Sequence, residues 1–218
     1  MPMSKTVLVT RPQHDQVTNY LFSWTQLVLD EATRKGFTVF DLYGNKANKI
    51  TFISYINKRK PSLIFLNGHG SDSVITGHDN EPLVSNDDGV ELLAGKVVYA
   101  RSCDAGKDLG VQSIKHGALA FIGYKEKFFL VTIDDKLTRP LEDPIARLFL
   151  EPSNLIPISL IKGNSVKEAY NKSQKASLRN LSYMLSTAAT AEERDSAPFL
   201  YSNKLNQVVL GDKRVRLS

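Results

Sequence analysis

The sequence predicts an α/β fold: a mostly parallel sheet with helices on both faces and a small hairpin inserted after the third strand. Three observations carry this. Short β-rich runs alternate with segments of helical period, which implies parallel strands joined by right-handed crossovers. The strand runs are apolar on both faces, as a sheet covered on two sides requires. The length, 218 residues, suits one domain with a sizeable core. No repeat, low-complexity tract or linker divides residues 1–218.

The elements follow in order. TVLVT at 6–10 is a first strand. Residues 17–35 carry Tyr20, Trp24, Leu27, Val28 and Glu31 at helical spacing, with Gly36 as the stop. FTVFDLY at 37–43 is a second strand, and residues 48–59, with Ile50, Ile53 and Ile56 and a basic end, suit a short helix. SLIFL at 62–66 is the third strand, KVVYARS at 96–102 the fourth and ALAFIGY at 118–124 the fifth, with a helix over DLGVQSIKHG between the last two. Within 71–88, SVIT and PLV flank the turn signal Gly77-His78-Asp79-Asn80, which reads as a hairpin. Asp143 and Pro144 open a helix over EDPIARLFLE, followed by an irregular stretch. SVKE at 165–168 is a capping box opening a further helix through Ala188. NQVVLG at 206–211 suits a returning strand.

Composition narrows the function. The net charge is +5, but its carriers are scattered through NKRK at 57–60, lysines in 162–175 and DKRVR at 212–216. That distribution describes a solvated surface rather than a nucleic-acid groove. No apolar run approaches the roughly 18 residues of a membrane span. The N-terminus reads as a strand rather than a signal peptide, so a cytoplasmic location is expected. Cys103 is the one cysteine, which excludes an intramolecular disulfide. It is either a small buried hydrophobe or a nucleophile paired with a distant histidine.

The third strand runs into Asn67-Gly68-His69-Gly70, and the fourth into Ser102-Cys103. If these strands are parallel neighbours, their C-terminal ends lie about 4.8 Å apart, where open α/β sheets bind ligands. His69 then faces Cys103. An imidazole accepts a thiol proton or stabilises the thiolate. A helix beginning in DAGKDLG would favour the negative sulfur. The N–H groups of Gly70 and Cys103 suit an oxyanion. The arrangement fits acyl transfer.

A hydrophobic strand ending in His-Gly, followed by one ending in a small residue and Cys, resembles the caspase-like cysteine peptidases. Residues 96–124, KVVYARSCDAGKDLGVQSIKHGALAFIGY, are especially similar to the CHAT-domain and gingipain branch. The resemblance implies a three-layer caspase-like sandwich and a cysteine endopeptidase acting on a protein or peptide substrate through a thioester. It makes His69 the catalytic histidine, Gly70 the oxyanion-hole glycine and Cys103 the nucleophile. It implies that Arg101 lines the pocket for the substrate residue before the scissile bond. Walls from GYKEKFF would complete that pocket, and Glu126 would be placed to neutralise the arginine. An activating partner is compatible with it, and no cofactor is called for. The 34-residue spacing from His69 to Cys103 (103 − 69) is shorter than the caspase spacing of about 50, and RSCDAG is not the caspase signature.

The other histidines carry no assigned chemistry. His78 reads as a solvated turn residue, His116 as a helix C-terminal cap, and His14 has no role. Their spacing carries no zinc motif, and Gly68-His69-Gly70 is not a phosphate loop. Two alternatives stand beside the peptidase: an inactive caspase-like regulatory module and a doubly wound small-molecule-binding domain. The second lacks a glycine-rich loop after the first strand.

Overall fold

Residues 5–217 are described by a computed structural model. The chain forms β1 (Thr6–Arg11), α1 (Gln16–Arg34), β2 (Thr38–Tyr43), α2 (Lys49–Arg59), β3 (Leu63–Asn67), β4 (Val74–Thr76), β5 (Pro82–Ser85), β6 (Val97–Arg101), α3 (Leu109–Lys115), β7 (Ala120–Tyr124), α4 (Pro144–Ile161), α5 (Val166–Met184), α6 (Ala191–Asn206) and β8 (Gln207–Gly211). The six-stranded sheet has the order β2-β1-β3-β6-β7-β8. Its strands are parallel except β8, which runs antiparallel to β7. β4 and β5 form the separate antiparallel hairpin.

Strand alternation divides the core in two. Val7, Val9, Leu63, Phe65, Val97, Tyr99 and Ile122 face α1, α4 and the start of α5. Leu8, Ile64, Leu66, Val98, Ala100 and Phe121 face α2, α3 and the hairpin. With period 2 along every central strand, one apolar run supplies both faces, which explains why the strands read as unbroken hydrophobic segments. The three-layer sandwich follows.

Local chemistry sets the helix ends. Asp15 caps α1: its Oδ1 accepts from the Thr18 N–H at 2.8 Å, and Thr18 Oγ1 accepts from the Asp15 N–H at 3.0 Å. Ser165 and Glu168 make the expected capping box on α5. His116 accepts its expected place at the end of α3, with Nδ1 2.9 Å from the Gln112 carbonyl.

Two expectations are corrected, and one helix is added. The buried face of α2 is Phe52 and Ile56, while Ile50 is 82% exposed; three isoleucines three apart drift off one face as the helix turns. The helix opened by Pro144 does not stop before an irregular stretch but runs to Ile161 through Pro152 and Pro157. Pro152 offers no N–H to the Leu148 carbonyl four residues back, and the Asn180 amide of α5 donates to that carbonyl instead, at 2.9 Å. Burial of Ile156, Leu160 and Ile161 against the sheet then outweighs the lost helical bonds. Finally, α6 fills residues left unassigned by periodicity: its buried side is mixed, with Glu193, Ser196, Ala197, Leu200 and Asn203.

Phe52→Ala is expected to destabilise the protein by about 3–5 kcal/mol and Ile50→Ala by no more than roughly 0.5 kcal/mol. Chemical denaturation of the two variants checks this. Equal losses would place α2 in the other rotation.

Candidate active site

The site is built at the C-terminal ends of β3 and β6. These strands pair in parallel, and the last partners in register are Asn67 and Arg101. His69 lies two residues beyond the first and Cys103 two beyond the second. The two turns therefore leave the sheet side by side at the same level. Gly68 has φ +152°, and a Cβ there would lie 2.2 Å from the Thr76 carbonyl oxygen. A Cβ on Gly70 would lie 2.2 Å from Ser102 Oγ, 2.7 Å from the Val74 carbonyl oxygen and 3.4 Å from that of Cys103. Both glycines are thus demanded by close approach, and the second approach is to the residues carrying the thiol. The hairpin secures the histidine's backbone: the Thr76 N–H donates to the His69 carbonyl at 2.9 Å.

The His69 ring has a partner that sequence spacing did not reveal. Its Nε2 lies 2.5 Å from Asp15 Oδ2, at the N-cap of α1. Burial raises the Asp15 carboxyl, but hydrogen bonds from the Thr18 N–H, His69 and the Thr18 hydroxyl outweigh it and hold the group below its ordinary value. An ionised carboxylate only accepts, so Nε2 carries a proton, and in the neutral tautomer the lone pair lies on Nδ1.

Cys103 is a partly buried free thiol, with Sγ 4.0 Å from the Phe128 carbonyl. The segment after β7 thus passes beside the thiol. The chain turns sharply just beyond it: Asp104 has φ +56°, a left-handed conformation that costs on the order of 1 kcal/mol or more for a residue with a side chain, and its N–H donates to the Glu126 carbonyl at 3.1 Å. The expected helix start at the thiol is not found. α3 begins at Leu109, six residues later (109 − 103), so no helix dipole stabilises the sulfur. Burial instead pushes the Cys103 thiol above its ordinary range, partly countered by a backbone hydrogen bond at Phe128.

The expectation that Arg101 lines a substrate pocket is also corrected. Its side chain is completely buried under the site. Nε donates to Asn67 Oδ1 at 2.9 Å, Nη1 to Asn154 Oδ1 at 2.9 Å and Nη2 to Thr25 Oγ1 at 2.6 Å, and the guanidinium carbon lies 5.1 Å from the Phe65 ring centroid. Desolvation lowers its pKa to about 10, so it remains charged at neutral pH. Among the described residues no carboxylate pairs with it; neutral dipoles hold the charge. The reason lies in the pleat: residue 101 has the inward parity of Tyr99 and Val97, and the strand has not yet ended. Glu126 is not among its hydrogen-bond partners.

His14 and His78 converge on the same end of the sheet. His14 contacts both His69 and His78, with ring centroids 6.0 and 5.2 Å apart. His78 is not a free turn residue: its side chain is 21% exposed, and Nδ1 accepts from the Gln13 N–H at 3.3 Å. The sequence holds one clue to this. QHDQ follows β1 as NGHG follows β3, and strand ends of one sheet share a crevice.

This architecture is the fold of caspase-like cysteine proteinases. The chain is similar to the solved structure of the Arg-specific cysteine proteinase gingipain R, with a TM-score of 0.66 and 11% identity over 98% of this chain and 47% of that one. It is also similar to the complex of the Porphyromonas gingivalis RgpB pro- and mature domains, with a TM-score of 0.58 and 11% identity over 97% of this chain and 49% of that one. The chain thus spans about half the length of these neighbours. No protein-family model and no curated protein matches the sequence.

Two outcomes are expected. Arg101→Ala should lower stability by about 3 kcal/mol, because each neutral partner left unsatisfied costs roughly 1–3 kcal/mol; thermal melting checks it, and an unchanged melt would contradict the buried network. Since the neutral thiol is favoured, alkylation of Cys103 should be slow at pH 7 and keep rising with pH beyond the ordinary thiol value of about 8.5. A pH series with iodoacetamide checks this. A rate that levels off below pH 7 would instead indicate a preformed thiolate–imidazolium pair.

Proposed function

We propose that the protein is a cysteine endopeptidase that hydrolyses peptide bonds with Cys103 as nucleophile and His69 as general base. The observation that carries this reading is the register of β3 and β6, which brings the His69 and Cys103 turns together on a cysteine-proteinase fold. The CHAT-like character rests on the sequence of residues 96–124 and belongs to the same proposal.

The steps follow from the groups present. The resting thiol is neutral, so its proton passes to His69 Nδ1 as sulfur attacks the substrate carbonyl carbon. Asp15 holds the ring by Nε2 and stabilises the imidazolium that forms; it is a positioning residue. The backbone N–H groups of Gly70 and Cys103 stabilise the oxyanion. Collapse breaks the C–N bond, and His69 returns the proton to the departing amine. Water, deprotonated by His69, then attacks the thioester and releases the acid and the thiol. Specificity comes from elements other than Arg101, which is saturated inside the core.

The test is cleavage of a peptide library. Cys103→Ala should abolish cleavage with the fold retained. His69→Ala should reduce it about 10²–10⁴-fold, and Asp15→Asn should reduce kcat more than it raises KM. Full activity in Cys103→Ala would end the proposal.

A further inference from the structure

His14 poses a problem that the peptidase reading leaves untouched. Its side chain is nine-tenths buried, at 10% exposure, yet both ring nitrogens are buried without a hydrogen-bond partner. A buried polar atom without a partner costs roughly 1–3 kcal/mol, and such orphans are rare unless water or an ion completes them. What His14 faces is chemically specific. Its Nε2 lies 3.6 Å from Asp15 Oδ2, and Asp15 Oδ2 is the oxygen bound to His69 Nε2. One ligand atom from each of His14, Asp15 and His69 lies within 4.8 Å of the others.

We infer that His14, Asp15 and His69 form a binding site for a divalent transition metal of the zinc class, and that metal bound there switches off the His69 base.

Two imidazoles, borderline ligands, with one carboxylate form a set that suits zinc and not calcium or magnesium. Bonds of about 2.0–2.2 Å place tetrahedral ligand atoms roughly 3.3 Å apart. The His14–Asp15 separation already fits, and the His69–Asp15 contact needs to open by less than 1 Å. Asp15 is preorganised for the role. Its Oδ1 is occupied by the Thr18 N–H and hydroxyl, at 2.8 and 2.9 Å, which leaves Oδ2 aimed at the histidines. Such outer-shell support is what tuned metal sites use. A hollow of about 410 Å³, lined by Gln13, His14, Asp15, Gln16, Asn19 and Leu137, opens beside His14 and Asp15. It gives room for a water as fourth ligand. The neighbouring set His14, His78 and Asp79 also meets the distance condition, but there Nδ1 of His78 is engaged by the Gln13 N–H and the Asp79 side chain is 80% exposed.

The inhibitory half rests on the reading of His69 as catalytic base. A neutral imidazole that ligates metal through Nε2 carries its proton on Nδ1. The lone pair that would take the thiol proton is then gone, and Asp15 no longer orients the ring.

Zinc binding to the full chain, followed by equilibrium dialysis, tests the site without reference to activity. Wild type and Cys103→Ala should each take up one zinc per chain. His14→Gln and Asp15→Asn should each weaken binding at least tenfold, while His78→Gln stays within twofold of wild type. Asn keeps the Oδ1 that caps α1, so a loss in Asp15→Asn is not a loss of the helix. Absence of stoichiometric binding, loss in Cys103→Ala or in His78→Gln, or unchanged binding in His14→Gln overturns the site. On an active chain, zinc should block peptide cleavage, with a midpoint at least tenfold higher in His14→Gln. Zinc bound with cleavage unaffected overturns the inhibitory half. Binding in this pattern by a chain that cleaves no peptide under any condition contradicts the peptidase reading and leaves the metal site standing.

Discussion

The buried guanidinium of Arg101 ties together the elements that the site depends on. It donates to Asn67 at the end of β3, to Thr25 and the Leu21 carbonyl of α1, and to Asn154 of α4. One charged fork thus fixes the last register pair of β3 and β6 and the seat of α1 beneath them. Asn67 is held a second time by β1, through its own N–H to Thr10 Oγ1 at 3.0 Å and its amide to the Thr10 carbonyl at 2.8 Å. The position of His69 relative to Cys103 follows from that clamp, and the position of Asp15 relative to His69 follows from where α1 starts. A charge taken so far from water is tolerated only when nearly every donor is satisfied. Lysine at this place would lose the planar fork that reaches three elements at once.

Burial sets the chemistry available to the thiol. With no helix start at Cys103, the sulfur receives none of the dipole stabilisation that lowers thiol pKa values elsewhere. Burial dominates, and the neutral form is favoured. In the proposed mechanism proton transfer therefore belongs to the attack itself, which makes the orientation of the His69 ring decisive. There Asp15 would supply that orientation from the N-cap of α1. The capping box does two tasks with one carboxylate: Oδ1 closes the helix and Oδ2 holds the histidine.

That the His69 and Cys103 turns leave the sheet side by side was legible because it depends on two strand ends and on the rule that neighbouring parallel strands deliver their C-termini to one crevice. The strands themselves were legible because LIFLN and VVYAR are buried on both faces. For Asp15 and His14 the sequence held only the clue that QHDQ follows a strand; their placement beside His69 needs the strand order β1-β3-β6, which periodicity does not contain. Arg101 was misread for a related reason: its offset from Cys103 suggested the pocket, while the pleat carries it inward. α6 escaped because its buried side mixes Glu193, Ser196 and Asn203 with Ala197 and Leu200, so no apolar stripe marks it. The long run of α4 was hidden by its prolines; the carbonyl that Pro152 leaves is taken by the Asn180 side chain of α5.

The most direct measurement of the thiol–imidazole pair is covalent trapping with a peptidyl acyloxymethyl ketone, read by intact mass and peptide mapping. This electrophile reacts appreciably only with a thiol activated in a peptide-binding crevice. The expected result is a single adduct on Cys103, formed at least 10²-fold more slowly in His69→Gln, in line with the usual contribution of a positioned base. Equal labelling rates in the two proteins, or no adduct on a folded wild-type chain, would contradict the assignment of His69 and Cys103 as the catalytic pair.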